Sequence, residues 1–144
     1  MASTTGRCLC GAISFEADVR GYGLYRCHCS LCRRQSGAAS NAATIIPRAS
    51  FRWLSGEHLI RSWVKSTGFR SSFCSHCGSP VPNPLRESDQ MWIPVGLLDD
   101  TGELRVVVDM HVASAASWDA SATSDRCFDA TPPPGEIFRW LRGE

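Results

Sequence analysis

The chain has 144 residues, of which 20% are charged, and its formal net charge is +1. A chain of this length buries enough surface for a core of its own, and so small a net charge excludes a nucleic-acid binder that works through a strongly basic surface. No apolar run is long enough to span a membrane, and the first residues lack the apolar stretch of a signal peptide. We therefore expect one domain over residues 1–144, located in the cytoplasm.

Short strands make up most of the predicted secondary structure. In chain order they cover residues 13–17, 44–46, 51–54, 58–64, 68–73, 91–93 and 104–112. Ser55-Gly56-Glu57 predicts a hairpin turn between the third and fourth of them. One short helix is predicted after Cys32 and ends at Gly37, and another covers residues 136–141. The pattern predicts a mainly β fold.

Seven of the eight cysteines lie in three tight clusters. The clusters are Cys8-Leu9-Cys10, Cys27-His28-Cys29-Ser30-Leu31-Cys32 and Cys74-Ser75-His76-Cys77. Thiolates separated by one or two residues suit a soft divalent ion, above all zinc. Disulfides are the alternative, but they usually belong to shorter, secreted chains.

Seven clustered thiolates are three more than one closed zinc site needs. A structural zinc takes four thiolates, whereas three ligands and an open position are typical of zinc that takes part in chemistry. The clusters can combine in several ways, and we prefer the division that splits none of them. It gives a four-cysteine site and a three-cysteine site: Cys8, Cys10, Cys74 and Cys77, then Cys27, Cys29 and Cys32.

These motifs resemble those of the glutathione-dependent formaldehyde-activating family, which has the Mss4-like zinc-binding fold. The similar segments follow the family order between about residues 6 and 118: residues 6–11, 27–37, 68–79, 96–100 and 111–114, with Trp118. The resemblance implies short antiparallel sheets with minor short helices. It also implies a structural zinc on the four-cysteine site and a second, exchangeable zinc on Cys27, Cys29 and Cys32.

The activity implied by the resemblance is that of a carbon–sulfur lyase running in reverse, which joins glutathione and formaldehyde to give S-hydroxymethylglutathione. From the site chemistry, we expect a coordinated substrate thiol to lose its proton and attack an aldehyde carbonyl. Arg33 and Arg34 are candidates for binding an anionic group of the substrate, and Trp118 is a candidate for lining its cleft. The expected partners are a small thiol and an aldehyde, with no nucleic acid and no membrane. The alternative is a non-catalytic zinc module that binds a macromolecule.

The histidines and the last cysteine leave several interpretations open. His28 and His76 lie inside cysteine loops, where exposed side chains are the usual outcome and a ligand or acid role is the alternative. Cys127 is isolated, which predicts a free, partly buried thiol, with a role as fourth ligand as the alternative. The second site is either catalytic, or structural once a histidine or Cys127 completes it, or empty in a purified sample, because three thiolates hold zinc less securely than four and oxidise readily.

Overall fold

A computed structural model of the chain describes residues 3–144, and strands are the main secondary structure of this part. In chain order the strands are β1 (Thr4–Arg7), β2 (Ser14–Ala17), β3 (Leu24–Cys27), β4 (Asn41–Pro47), β5 (Phe51–Ser55), β6 (Ile60–Val64), β7 (Arg70–Cys74), β8 (Asn83–Pro84), β9 (Gln90–Pro94) and β10 (Val106–Met110). The α-helices are α1 (Ser30–Ser36) and α2 (Pro134–Leu141), and single 3-10 turns cover Arg48–Ser50, Glu57–Leu59, Val95–Leu97 and Val112–Ser114. The prediction of a mainly β fold with minor short helices is confirmed.

The chain folds into two compact units. The first contains residues 3–20 together with Ile45–Gly102, and the second contains Gly21–Thr44 and Glu103–Glu144. The chain passes from one unit to the other three times, and one of these changes falls within β4. The expectation of a single domain over the whole chain stays a prediction.

The first unit contains a three-stranded antiparallel sheet of order β1-β2-β5 and a two-stranded antiparallel sheet of β6 and β7. Its β8 and β9 are also antiparallel, and β9 neighbours β4. The alternation predicted for β2 is seen in burial, since Phe15 and Ala17 are fully buried. A side chain at Gly6 would collide with the ring of Phe15, so that close strand packing requires glycine there.

The hairpin predicted around Gly56 is wrong. β5 pairs with β2, and β6 pairs with β7. Gly56 adopts a left-handed conformation and leads into a 3-10 turn, so the chain leaves the first sheet instead of folding back on it. The hairpin turn lies at Lys65–Phe69, where the Lys65 N–H donates to the Phe69 carbonyl at 2.8 Å.

The second unit is built on β3. This strand pairs in parallel with β10 and antiparallel with β4, so its sheet departs from the purely antiparallel pattern expected. Gly37 ends α1 in a left-handed conformation, as predicted. α2 packs against β10 and buries Ile137 and Leu141. No helix within residues 3–144 is both long enough and apolar enough to cross a membrane.

Candidate metal centres

The four-cysteine group lies in the first unit. Its sulfur atoms, from Cys8, Cys10, Cys74 and Cys77, all lie within 4.8 Å of one another. The Cys8 and Cys10 sulfurs are 3.6 Å apart, and those of Cys10 and Cys74 are 3.9 Å apart. A tetrahedral zinc with Zn–S distances of about 2.3 Å places its sulfurs about 3.8 Å apart. The spacing and the chemistry of the donors fit a zinc ion.

Two tight turns bring these sulfurs together. The Gly11 N–H donates to the Cys8 carbonyl at 3.0 Å, and the Gly78 N–H donates to the Cys74 carbonyl at 2.8 Å. Both glycines have φ near +80°, at 82° and 76°, which side chains rarely adopt. The Ile13 N–H also points at the Cys8 sulfur, at 3.4 Å. The turns after the first and third cysteine clusters therefore require glycine, because both have a positive φ.

The thiols of this group share protons unequally. Burial opposes ionisation of Cys8 and Cys77, but backbone N–H groups and neighbouring thiols donate to their sulfurs. The pKa of Cys8 is therefore lowered, and that of Cys77 falls to about 6. The backbone of Ala12 favours the Cys10 thiolate, but burial and the three neighbouring sulfurs outweigh it and raise the pKa of Cys10 to about 11. A divalent cation would remove this repulsion between thiolates.

The three-cysteine group lies in the second unit, where β3 ends and α1 begins. The sulfurs of Cys27, Cys29 and Cys32 lie within 4.8 Å of one another. Cys29 is the N-cap of α1, and its sulfur accepts the Cys32 N–H at 3.4 Å. The Cys29 carbonyl accepts the Arg33 N–H at 2.9 Å. The first turn of α1 therefore places Cys32 beside Cys29, and β3 places Cys27 beside both.

Charge is concentrated on one sulfur of this group. The Cys27 and Cys32 thiols donate to the Cys29 sulfur, which lowers the pKa of Cys29 to about 2. The same interaction raises the pKa of Cys27 to about 11 and that of Cys32 further. Cys27 and Cys32 are buried and Cys29 is half-buried. A cation bound here would be reached by solvent on the Cys29 side.

Unsatisfied polar atoms lie close to these cysteines in the chain. Arg33 Nε, Gln35 Nε2 and Asn41 Oδ1 are buried and have no hydrogen-bond partner among the described residues. Asn41 pairs with Cys27 across β3 and β4, and its Nδ2 donates to Gln35 Oε1 at 3.1 Å. A buried polar atom without a partner costs about 1–3 kcal/mol. These atoms therefore favour a polar ligand at this site.

The other predicted substrate residues differ in exposure. Arg34 is exposed, and 70% of the Trp118 surface is exposed to solvent. Trp118 directly precedes Asp119, whose side chain reaches His28. Trp118 is thus linked to the loop of the three cysteines only through the neighbouring Asp119, and its exposed indole contributes little to the core.

His28 is fully buried, contrary to the expectation of an exposed loop side chain. Its Nδ1 lies 2.7 Å from Asp119 Oδ2, and its Nε2 lies 2.8 Å from Asp109 Oδ1. The Arg26 guanidinium makes two hydrogen bonds to Asp109, at 2.8 and 3.1 Å. Because both ring nitrogens face carboxylates, the imidazole has no free nitrogen to act as a metal ligand or as a proton donor to substrate.

Arg26, His28, Asp109 and Asp119 form one largely buried hydrogen-bonded network. Burial opposes ionisation of Asp109, but hydrogen bonds from Arg26, His28 and Ser124 hold its pKa below the usual value, and bonds from Ser121 and His28 do so for Asp119. Ionised carboxylates only accept hydrogen bonds, and each ring nitrogen of His28 faces one of them, at 2.7 and 2.8 Å. These two contacts fix the position of His28, which lies between Cys27 and Cys29 in the chain.

Sequence reasoning missed Asp109 and Asp119. Asp109 is the single charged residue in the β-prone run Val106-Val107-Val108-Asp109-Met110. A charge within a buried strand is rare unless it is paired, and this was the available signal. Nothing local marked Asp119, because its contact with His28 spans 91 positions.

The cysteines are free thiols, so the disulfide alternative does not apply to this structure. Cys127 belongs to neither metal-binding group of the described residues and is exposed instead of partly buried. Its thiol donates to the Ser124 carbonyl at 3.2 Å. His76 is exposed, as the common outcome for such loops predicts.

The fold and the two cysteine groups define a small, mainly β protein with two places that could hold a metal ion. The family model described as "Glutathione-dependent formaldehyde-activating enzyme" matches residues 3–114, and the chain belongs to this family. A solved structure of a Rhodobacter sphaeroides protein is similar with a TM-score of 0.58 and 23% sequence identity. That similarity covers 72% of this chain and 99% of the other, and supports the fold.

Proposed function

We propose that the chain is a zinc-dependent enzyme that joins a small thiol, such as glutathione, to formaldehyde or another small aldehyde, or cleaves the adduct as a carbon–sulfur lyase. The observation that carries this proposal is the group of Cys27, Cys29 and Cys32, which is one donor short of a tetrahedral set. Membership of the family supports the choice of thiol and aldehyde.

The residues of the three-cysteine group fit zinc in number, softness and spacing. Zinc held by Cys27, Cys29 and Cys32 would supply a position at which an incoming thiol loses its proton. The half-buried Cys29 leaves this side accessible. The buried pairs of His28 hold the short loop between Cys27 and Cys29 in place, which keeps the three sulfurs in register for the metal.

The reaction balances without an oxidant or reductant. The thiol sulfur forms the new carbon–sulfur bond, the carbonyl π pair moves to oxygen, and that oxygen takes up the proton which the thiol gave away. We assign this last transfer to water, since both nitrogens of His28 are already committed to carboxylates. The reverse sequence of steps gives the lyase direction.

Arg33 and Arg34 are proposed to bind a carboxylate of the thiol substrate. Guanidinium groups recognise carboxylates through paired hydrogen bonds. Arg33 Nε is buried and lacks a partner among residues 3–144, so a bound carboxylate would satisfy it. We propose a weaker role for Trp118, whose exposed indole would cover the bound substrate.

The four-cysteine group is proposed to hold a structural zinc, since four thiolates close the coordination shell. It connects the turn after β1 to the turn after β7. A reducing compartment, with the cytoplasm as the simplest choice, would keep both groups of thiols reduced.

The activity can be tested by exchange NMR with ¹³C-formaldehyde, glutathione and reduced, zinc-supplemented protein. We expect the protein to accelerate exchange between hydrated formaldehyde and the adduct, Cys29→Ser to abolish the acceleration, and the matched control Cys127→Ser to retain it. Native mass spectrometry of the same samples counts the metal ions. If protein carrying two zinc ions gives only the uncatalysed exchange rate, the enzyme proposal is wrong and a non-catalytic zinc module is the better description.

A further inference from the structure

The first unit contains a cavity of about 410 Å³ that the proposed reaction does not use. Small-molecule sites typically measure about 300–1,000 Å³, so this volume suits a small organic ligand. One wall of the cavity consists of side chains that alternate onto the same face of β6 and β7. Ile60 and Ser62 of β6 share a face with Arg70 and Ser72 of β7, and all four line it.

Charge in this cavity is unbalanced. Arg48, Arg52 and Arg70 line it, against one acidic lining residue, Glu57. Arg52 is paired with Glu16 at 3.0 Å, outside the lining. Among the described residues Arg48 and Arg70 have no ion-pair partner within 4.0 Å. After Glu57 is counted, one positive charge remains for a ligand to neutralise.

The floor of the cavity contains a buried amide without an acceptor. Asn83 lines the cavity and is only 5% exposed, and its Nδ2 has no hydrogen-bond partner within the described chain. Proteins rarely leave such a group unpaired, because the loss is about 1–3 kcal/mol. An acceptor brought by a ligand would satisfy it.

Apolar and aromatic side chains form the rest of the wall. Phe51 and Trp53 lie edge to face, with ring centroids 4.8 Å apart, and both line the cavity together with the buried Met91. Such surfaces favour a flat apolar body over a fully hydrated ion. Inorganic phosphate alone would leave this wall without a contact.

We propose that this cavity binds a small organic anion, with an acid group facing the arginines and Asn83 and a flat apolar body against Trp53 and Met91. The site contains none of the clustered cysteines, so its test is independent of the proposed reaction.

The test titrates ¹⁵N-labelled, zinc-supplemented protein with benzoate and follows backbone and Asn83 side-chain amide resonances. We expect saturable shifts at Asn83, Ser72 and Arg70. Benzamide, which has the same ring without the charge, and inorganic phosphate, which has the charge without the ring, are each expected to bind at least about tenfold more weakly, a difference of about 1.4 kcal/mol.

Matched variants connect the shifts to the cavity. Arg70→Gln is expected to weaken benzoate binding at least about tenfold, as the loss of a hydrogen bond to a charged group implies. Arg61→Gln removes an exposed arginine from the opposite face of the same hairpin and should leave the affinity unchanged. Asn83→Ala should weaken benzoate binding, because it removes the amide that would donate to the acid group.

Three results would overturn the proposal. They are the absence of saturable shifts up to tens of millimolar benzoate, equal binding of benzamide or phosphate, and equal effects of Arg70→Gln and Arg61→Gln. Performing the titration on Cys29→Ser protein as well keeps the outcome separate from that of the proposed enzyme activity, because the cavity should bind benzoate whether or not the three-cysteine group is intact.

Discussion

Replacing Asp109 with asparagine tests the buried charge network most directly. The Asp109 side chain is 0% exposed and accepts hydrogen bonds from Arg26, His28 and the Ser124 N–H. The substitution keeps the shape of the side chain but removes the negative charge that faces the Arg26 guanidinium. Removing one partner of a buried ion pair costs about 3–5 kcal/mol, because the remaining charge is left uncompensated.

This loss of free energy is large enough to measure by heat and by urea. At about 2–4 °C per kcal/mol for a chain of this size, Asp109→Asn should lower the melting temperature by about 6–20 °C. The assay is circular dichroism of zinc-supplemented protein, with urea unfolding to obtain the free energy. Asp18→Asn is the control, since Asp18 makes a solvent-accessible pair with Arg20 that should contribute about 0–1 kcal/mol.

A stabilising role of the Asp109 carboxylate is refuted if the unfolding free energy of Asp109→Asn lies within about 1 kcal/mol of the wild type and equals that of the Asp18 control. A difference of that size is what exposed ion pairs alone produce. That result would mean that the network is not charged, or that neighbouring groups rearrange to satisfy Arg26 and His28. If Asp109→Asn loses stability but binds as much zinc as the wild type, the network stabilises the fold and does not act through metal binding.

Further expectations concern the metals, the pH dependence and one turn. Cys74→Ser should lose one zinc ion and much of the stability, because structural zinc binding is folding free energy, whereas Cys29→Ser should lose the other ion and keep the melting temperature. Native mass spectrometry counts the zinc ions of each variant, and calorimetry measures its melting temperature. Equal unfolding by both variants would contradict the division into two sites. Folding lowers the pKa of Asp109 from its ordinary 3.8. The carboxylate therefore contributes its full stabilisation above pH 3.8 and loses it as the pH falls further, so the difference in unfolding free energy between wild type and Asp109→Asn should narrow from pH 6 to pH 3 in urea titrations. A constant difference would exclude the carboxylate as the source of the stability. Gly78→Ala should lower the free energy of unfolding by about 1 kcal/mol, because φ is +76° there. The control Gly96→Ala, in open space without a positive φ, should lower it less. Equal losses would mean that the turn at Gly78 tolerates a side chain.

The sequence predicted local structure well wherever a short pattern decides it. The alternation around Phe15, the helix ended by Gly37 and the pairing of whole cysteine clusters each depend on neighbours within about ten positions or on the chemistry of one residue type. The turn around Gly56 was misassigned because a glycine turn fixes the local bend but does not choose the strand that pairs next.

Tertiary structure alone decided how His28 is used. Its position between Cys27 and Cys29 suggested an exposed loop, a ligand or an acid. Contacts with Asp109 and Asp119, 81 and 91 positions away, made it a buried side chain held between two carboxylates instead. The unpaired amide of Asn83 and the cavity around it were likewise invisible in the sequence, because burial is a property of the packed chain. Keeping each cysteine cluster whole gave the two groups of sulfurs that lie together in the structure, although spacing alone left several combinations open. The surroundings of those sulfurs depend on long-range contacts that residue order does not reveal.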